Sequence, residues 1–357
     1  MTQDYASNIE LPEVAQRLRD ADGPIVVLTH QKPDGDAFGS VVALTLALRH
    51  LSKHVAAVFA PPVTDALARF PGADAAVLHR ADLPLPEKSA YVVIVDTGAK
   101  SQLGPLAPFV EQHLDRTLII DHHLSGDVAA AWRYIDADAA ACCEIVATLV
   151  DCLLAGAPPI ELATQRTLNE ALFLGVASDT GWFRFSNVRP QTHELAARLL
   201  AAGVDHADIY RRTEQTERLE KLKLLTRALD NLEVRAGGRA ALMLLRQSDF
   251  EDTGAYEHET ERLIDVPQQV AAFELFCVAT EKMLDAPSGN RMKPRPQTKL
   301  SFRSKPGPQA VNVAELASQF NGGGHARAAG ATFDGPLDAV LPRLREAMDA
   351  AVAPRGA

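Results

Sequence analysis

Four short clusters of aspartates and histidines in this sequence could carry out chemistry together. Each cluster directly follows an apolar run that predicts a buried strand or helix. The clusters contain His30, Asp34 and Asp36; Asp96; Asp121, His122 and His123; and Asp179. Carboxylates and imidazoles without thiolates suit Mn²⁺, with Mg²⁺ or Zn²⁺ as alternatives. The number of candidate ligands favours two ions that share a carboxylate.

The elements that precede these clusters explain why residues far apart in the chain should meet. They predict an α/β domain with a mostly parallel sheet and helices on both faces. Strands are expected at 24–30, 55–60, 91–96 and 117–123, and helices at 37–51, 139–155 and 161–178. Such sheets bind ligands at the carboxyl ends of their strands. Aspartates gathered there would repel one another, and a cation relieves that cost.

Each cluster alone has an ordinary alternative. An aspartate after a strand is often a turn residue or a helix cap, and Asp34 with Asp36 could form nothing more than a turn. His122 or His123 could be a buried histidine with a hydrogen-bonded partner. Because four such clusters stand at the ends of predicted elements, the combined pattern favours the metal interpretation.

The second half of the chain predicts a smaller α/β domain. The charged stretch 209–232 is expected to be helical, either as a linker or as an ordinary surface helix. Strands are expected at 239–246, 274–283 and 298–304, with a loop at 285–296. The expected division is 1–205 for the domain with the clusters, 206–232 for the linker helix and 233–357 for the second domain. The active site is expected in the cleft between the two domains.

In this order and at these intervals, the clusters resemble the four motifs of the DHH phosphoesterase superfamily. The matching segments are 30–40, 95–98, 121–123 and 178–181. The segment 320–325 resembles the glycine-rich signature of the DHH-associated C-terminal domain, although Ala326 and Arg327 follow it where the signature more often has proline. The chain is most similar to the bacterial nanoRNase (NrnA-like) group, which cleaves very short oligonucleotides and dephosphorylates the adenosine bisphosphate pAp.

The resemblance implies two ion sites that share Asp96. The residues implied for the first ion are His30, Asp34 and Asp96. The residues implied for the second ion are Asp36, Asp96, His122 and Asp179. Asp121 would orient a ligand from behind, and His123 would face the scissile phosphate. The resemblance thus implies that Asp96, Asp121 and His123 are the catalytic residues.

The glycine-rich segment of the second domain is a candidate anion site. Gly322, Gly323 and Gly324 allow successive backbone N–H groups to form a nest beside His325, although a flexible turn is the ordinary alternative. Arg303 lies on a predicted strand and can offer a bidentate fork to phosphate. The resemblance implies that Arg303 and His325 contact the nucleotide or its terminal phosphate.

Arg184, which follows the fourth cluster, is a further candidate for substrate binding. A salt bridge to a neighbouring carboxylate is an equal alternative. Trp182, Phe183 and Phe185 beside it could stack on a base, but core packing is the more frequent role of such a group.

The composition limits the class of protein. The chain has 357 residues with 36 Lys and Arg against 46 Asp and Glu, a net charge of −10, which argues against coating long nucleic acid by bulk charge. Locally, the stretch 281–330 has eight basic and three acidic residues, which favours phosphate binding there. No apolar run predicts a membrane span, and the N-terminus lacks an apolar signal core. With four cysteines that show no ligand-like pairing, a cytoplasmic protein with reduced thiols is expected.

The predicted function is two-metal hydrolysis of short RNA or DNA oligonucleotides to mononucleotides, of pAp to AMP, or of both. Mn²⁺ is the expected metal, and a homodimer is compatible with the sequence. One alternative is a phosphodiesterase for linear or cyclic dinucleotides. A RecJ-like exonuclease is disfavoured by chain length and acidic charge, and a manganese pyrophosphatase by the glycine–histidine signature. A non-catalytic nucleotide sensor would not need the complete ligand set.

Overall fold

The computed structural model describes residues 5–82, 85–284, 295–307 and 310–352. The chain divides into two compact units, Met1–Thr216 and Glu217–Ala357. Each unit contains one six-stranded sheet. Within the described ranges, none of the helices has both the length and the apolar character that crossing a bilayer requires.

The sheet of the first unit is parallel throughout, as the sequence predicts. Its strands are β1 (Ile25–Leu28), β2 (Val55–Phe59), β3 (Val77–Leu78), β4 (Tyr91–Val95), β5 (Thr117–Asp121) and β6 (Trp132–Ile135). They lie in the order β3-β2-β1-β4-β5-β6, and every neighbouring pair is parallel. The four central strands match predicted runs. The two edge strands, β3 and β6, are too short or too polar for the apolar pattern to show them.

Helices cover both faces of this sheet. They are α1 (Leu11–Asp20), α2 (Gly35–His50), α3 (Asp65–Ala68), α4 (Ala107–Glu111), α5 (Cys142–Leu154), α6 (Leu162–Asp179), α7 (Pro190–Ala201) and α8 (His206–Glu214). Alternate residues of one strand enter opposite cores: Ile25 packs with α2, α5 and α6, whereas Val26 packs with the segment around Leu106. Burial on both faces explains the continuous apolar runs in these strands.

The helices α2, α5 and α6 pack closely against one another on one face of the sheet. A Cβ at Gly39 would lie 2.3 Å from the carbonyl oxygen of Ala171, and one at Gly175 would lie 2.1 Å from Sγ of Cys143. Only glycine permits so close an approach. The N-terminus of α2 therefore lies next to the C-terminal half of α6.

The second unit has a mixed sheet. Its strands are β7 (Leu232–Arg235), β8 (Ala240–Leu245), β9 (Leu275–Leu284), β10 (Arg295–Ser304), β11 (Gly323–His325) and β12 (Ala328–Phe333). Their order is β11-β12-β10-β9-β8-β7, antiparallel except for the pair β8–β9. Its helices are α9 (Leu219–Asp230), α10 (Gln247–Thr253), α11 (Val313–Ser318) and α12 (Leu337–Val352).

The structure differs from the sequence prediction at the helix expected over 209–232 and at the end of the loop expected over 285–296. The predicted helix over 209–232 is two helices, because the backbone at Arg218 is extended and begins α9 as its N-cap. The helix α8 belongs to the first unit and α9 to the second. Most of the loop expected at 285–296 lies outside the described residues, and its last two residues, Arg295 and Pro296, already belong to β10.

Candidate metal centre

The ends of β4 and β5 bring the first two side chains together. Asp96 follows β4 directly, and its φ of 61° is uncommon for a residue with a side chain. Its N–H donates to the carbonyl of Ile120 at 3.0 Å, which ties it to the neighbouring strand. His122 follows β5, and its Nε2 lies 3.4 Å from Oδ1 of Asp96. A strained backbone next to a buried carboxylate is typical of a functional site.

The turn between β1 and α2 contributes the next ligand candidates. Asp34 is the N-cap of α2 and accepts from the N–H groups of Asp36 and Ala37 at 3.0 Å. His30 follows β1, and its Nε2 lies 3.6 Å from Oδ2 of Asp96 and 3.9 Å from Oδ1 of Asp34. Two residues of the first cluster, His30 and Asp34, thus lie close to Asp96.

Asp36 and Asp179 complete the arrangement from the helix ends. Asp36 is fully buried, and its two oxygens accept from the N–H groups of Cys142 and Cys143 at 2.6 and 2.9 Å, at the N-terminus of α5. Asp179 is the last residue of α6. Nε2 of His122 lies 3.9 Å from Oδ2 of Asp36 and 3.3 Å from Oδ2 of Asp179. Asp36, His122 and Asp179 thus converge on one point.

The structure therefore brings all six predicted ligands into two adjoining groups. Each group offers three ligand atoms that lie within 4.8 Å of one another. The first group is His30, Asp34 and Asp96, and the second is Asp36, His122 and Asp179. Asp96 stands between the groups, since each of its oxygens faces a histidine of one group. Asp96, His122 and His123 form a third overlapping set.

The imidazoles and their surroundings fit a divalent cation. Nδ1 of His30 is 3.0 Å from the carbonyl of Gln31, and Nδ1 of His122 is 3.1 Å from the carbonyl of Ala139. With Nδ1–H donating to a carbonyl, Nε2 keeps its lone pair for a metal. Oδ1 of Asp96 and Nε2 of His122 are buried and have no hydrogen-bond partner in the described part of the chain. A bound cation would satisfy both atoms.

Asp121 and His123 form a separate pair beside these groups. Asp121 is fully buried, and its Oδ1 accepts from the backbone N–H groups of His122 and His123 at 2.8 and 3.3 Å. The same oxygen lies 2.7 Å from Nδ1 of His123, whose side chain is 46% exposed. With Nδ1 engaged, Nε2 is the ring nitrogen of His123 that is left to contact a ligand, and it carries a hydrogen when the ring is protonated.

In the second unit, Arg303 and His325 share a face of the sheet. Arg303 on β10 and His325 on β11 both pair with Ala328 of the intervening strand β12. Directly paired residues point to the same face, so only the methyl group of Ala328 stands between the two polar side chains. A Cβ built at Gly323 meets no atom within 4 Å, so this face is open beside it. The arrangement suits a flat anionic ligand.

The glycine-rich segment differs from the expected nest. The N–H of Gly322 donates to the carbonyl of Ala317 at 3.0 Å, and Gly323 to His325 form the edge strand β11. Packing requires glycine at two of the three positions, because a Cβ at Gly322 would lie 2.1 Å from the carbonyl oxygen of Gly330 and one at Gly324 would lie 2.6 Å from that of Ala328. The segment brings His325 alongside β12, and successive N–H groups do not form a free concave nest.

Arg184 bonds to the backbone of its own turn, and the aromatic residues beside it differ in burial. Nε of Arg184 donates to the carbonyl of Gly181 at 2.6 Å, and its guanidinium lies 5.9 Å from the ring centre of Phe185. Trp182 and Phe183 pack against the first core, as the more frequent alternative predicts, whereas Phe185 is exposed.

Comparisons with known proteins identify the family of the chain. Residues 24–176 match the model of the DHH family N-terminal domain, and residues 286–353 match that of the DHHA1 domain. The bifunctional oligoribonuclease and PAP phosphatase NrnA of Thermus thermophilus is 30% identical over 94% of this chain and 92% of its own length. The chain belongs to the DHH family.

Two further comparisons extend over most of the chain. The NrnA protein of Bacillus subtilis is 24% identical over 87% of this chain and 89% of its own. The crystal structure of an exopolyphosphatase-related protein from Bacteroides fragilis superposes with a TM-score of 0.80 at 22% identity, covering 95% of each chain. The latter likeness shows that this chain has the fold of that protein.

Burial and neighbouring charges raise the pKa values of several ligand candidates in the DHH site. Burial, followed by the nearby Asp96, raises the pKa of Asp36 well above its usual range and that of Asp179 to about 6. Burial would lower the pKa of His122, but Asp96 and Asp36 outweigh it and raise this pKa to about 10. In the same way, Asp96 outweighs burial at His30 and raises its pKa to about 9. Each of these four shifts favours a protonated group within the cluster.

Metal-free protein is therefore expected to lose stability as pH rises. The raised histidine pKa values stabilise the fold fully below about pH 6.5, and this contribution disappears as pH passes through 9 to 10. Asp179 acts in the same direction, because its raised pKa lowers stability between about pH 4 and 6. We expect the Tm of chelated protein to fall by about 5 °C or more between pH 6 and 10. Calorimetry checks this, with Mn²⁺-loaded protein as the control that should lose less; a Tm that rises with pH would contradict it.

Sequence reasoning missed two kinds of supporting group in the DHH site. Tyr5 donates its hydroxyl hydrogen to Oδ2 of Asp121 at 2.5 Å. Burial and the neighbouring Asp121 carboxylate raise its pKa well above the usual value, so the phenol is a donor. Cys142 and Cys143 act through their backbone N–H groups rather than through their thiols. A single tyrosine and two backbone amides leave no pattern in the sequence that could reveal them.

Proposed function

We propose that this protein hydrolyses short oligonucleotides to mononucleotides and pAp to AMP, with two divalent ions at the candidate metal centre. The observation that carries the proposal is Asp96, a buried carboxylate whose oxygens face the histidines of two ligand groups. A carboxylate shared in this way is the arrangement that a two-metal phosphoesterase uses. The relatives named as oligoribonuclease and PAP phosphatase supply the substrate class.

The first ion would be held by His30, Asp34 and Asp96, and the second by Asp36, Asp96, His122 and Asp179. When bound, such ions neutralise charge on phosphoryl oxygens and make a water molecule more acidic. Oxygen and imidazole ligands without thiolate favour Mn²⁺, with Mg²⁺ as the alternative.

His123 is proposed to contact the scissile phosphate. Its hydrogen bond to Asp121 raises its pKa, so the ring favours the protonated form. The Nε2–H would then donate to a phosphoryl oxygen as negative charge develops there. Asp121 fixes the ring by holding Nδ1, which makes it a positioning residue.

The open face of the second unit is proposed to hold the nucleotide. Arg303 and His325 would bind a phosphate that lies across Ala328, since both side chains are on that face. The small residues of β12 leave room for a planar base or a ribose. Of the three predicted glycines, Gly323 would allow the ligand to approach the backbone, whereas Gly322 and Gly324 pack against β12. Arg184 remains a candidate contact in the first unit.

A substrate panel tests the proposed function. Purified protein is incubated with RNA and DNA of two to five nucleotides, pAp, a cyclic dinucleotide and pyrophosphate, each with Mn²⁺ or Mg²⁺. We expect hydrolysis of the short oligonucleotides and pAp, fastest with Mn²⁺. Turnover of pyrophosphate alone would contradict the proposal, and nucleotide binding without turnover would support a sensor instead.

The proposal also includes a cytoplasmic location and a homodimeric state. The four cysteines are free, which suits a reducing cytoplasm. A homodimer is proposed as the assembly. Light scattering at several concentrations tests that state, and a constant monomer mass would contradict it.

A further inference from the structure

In the N-terminal segment, the Tyr5 side chain contacts the buried carboxylate of Asp121, which also binds His123. Oδ2 of Asp121 accepts a hydrogen bond from the Tyr5 hydroxyl at 2.5 Å. Oδ1 of the same carboxylate holds Nδ1 of His123 at 2.7 Å. Tyr5, Asp121 and His123 therefore form a continuous chain of hydrogen bonds from the N-terminus to the half-exposed imidazole.

Backbone and side-chain bonds hold the N-terminal segment in place along β6. The N–H of Asn8 donates to the carbonyl of Arg133 at 2.9 Å, and the N–H of Arg133 donates to Oδ1 of Asn8 at 2.7 Å. Oγ of Ser7 bonds both the carbonyl and the N–H of Ile135, at 3.0 and 2.8 Å. Since Ile135 pairs with Asp121 across β5 and β6, these bonds fix the segment close to that carboxylate.

A slot made of two glycines receives the Tyr5 ring. A Cβ at Gly98 would lie 1.9 Å from the Tyr5 hydroxyl oxygen, and one at Gly126 would lie 2.3 Å from its Cε2 atom. Gly98 is in the turn directly after Asp96, so the slot borders the metal centre. The position of the phenol is therefore fixed by the bonds along β6, by the slot at Gly98 and Gly126, and by the hydrogen bond to Asp121.

We propose that Tyr5 is a positioning residue for hydrolysis, which acts by orienting the Asp121 carboxylate and, through it, the His123 ring. This inference rests on the proposed contact of His123 with the scissile phosphate. Without the hydroxyl, Oδ2 of the buried carboxylate would lose its donor, and only the two backbone N–H groups that bind Oδ1 would still hold the carboxylate against Nδ1 of His123. The His123 ring would then be less firmly oriented, and its Nε2–H would no longer point towards the scissile phosphate.

The test compares Tyr5→Phe with the wild-type protein at saturating Mn²⁺ on a dinucleotide RNA. Phenylalanine keeps the ring in the slot and removes only the hydroxyl. We expect kcat to fall by about 10–100-fold, the usual effect of removing a supporting hydrogen bond, with KM within about twofold. The matched control is Tyr134→Phe, the same chemical change on β6, which should leave both constants unchanged.

A double-mutant cycle with His123→Ala separates positioning from a merely structural role. If Tyr5 acts through His123, Tyr5→Phe should change kcat by less than about twofold in the His123→Ala background. Gly98→Ala provides a second variant, because its Cβ would occupy the place of the phenol while Tyr5 stays chemically intact. We expect it to reproduce the loss of kcat and to show the same dependence on His123.

The outcomes distinguish this inference from the function it rests on. A wild-type kcat in Tyr5→Phe, or an undiminished effect in the His123→Ala background, would overturn the role of Tyr5 alone. Full activity of His123→Ala would overturn the proposed phosphate contact and this inference with it. A wild-type protein that hydrolyses none of the substrate panel would defeat the proposed function itself.

Discussion

Asp96→Asn is expected to lower kcat on a dinucleotide about 10³-fold or more. The substitution removes the negative charge that both ligand groups share, while the amide keeps nearly the same shape. Loss of one shared ligand costs several kcal/mol of transition-state stabilisation, and about 4 kcal/mol corresponds to about 10³-fold. Steady-state rates with Mn²⁺, measured on protein free of contaminating nuclease, check this expectation.

Asp138→Asn is the matched control for that substitution. Asp138 is exposed in the segment between β6 and α5, and its replacement removes the same charge from the protein. The kcat of this variant should stay within about twofold of the wild-type value. If Asp96→Asn retained normal turnover, the shared-carboxylate arrangement would be wrong whatever the substrate.

Arg303→Ala is expected to weaken substrate binding far more than turnover. A charge-assisted hydrogen bond contributes about 1.5–3 kcal/mol, so KM for a dinucleotide should rise about 10–100-fold while kcat changes by less than about threefold. The reason is that Arg303 lies on the open face of the second unit, in a different unit from the metal ligands. Initial rates over a wide range of dinucleotide concentrations separate the two constants.

Arg246→Ala provides the comparison for a lost positive charge in the same unit. Arg246 forms an exposed ion pair with Asp338, a contact that contributes little to stability. The KM of this variant should remain unchanged. An equal rise in KM for both variants would mean that general charge, rather than the row of Arg303, Ala328 and His325, attracts the substrate.

The ligands could be predicted from the sequence because each stands at the end of an apolar run. Burial on both faces makes β4 and β5 recognisable, and the parallel arrangement then places Asp96 and His122 at one edge. Asp179 is the last residue of a helix whose second half is apolar, so the sequence pattern marks it equally well. The convergence of these residues is a consequence of topology, which the pattern of strands and helices already implies.

Other parts of the site depend on contacts that leave no local signal. Tyr5 meets Asp121 across 116 positions of sequence, and nothing in its neighbourhood marks it. The sequence does not predict the edge strand β11, because three glycines suggest conformational freedom when read alone. Gly322 and Gly324 are required by the close approach of β12, which only the paired strands reveal.

Anomalous diffraction from crystals soaked in Mn²⁺ tests whether two ions share the Asp96 carboxylate. The two ligand groups predict two manganese peaks in each chain, one on either side of the Asp96 carboxylate. The first peak should lie among His30, Asp34 and Asp96, and the second among Asp36, Asp96, His122 and Asp179. A single peak, or peaks outside the reach of Asp96, would contradict the account.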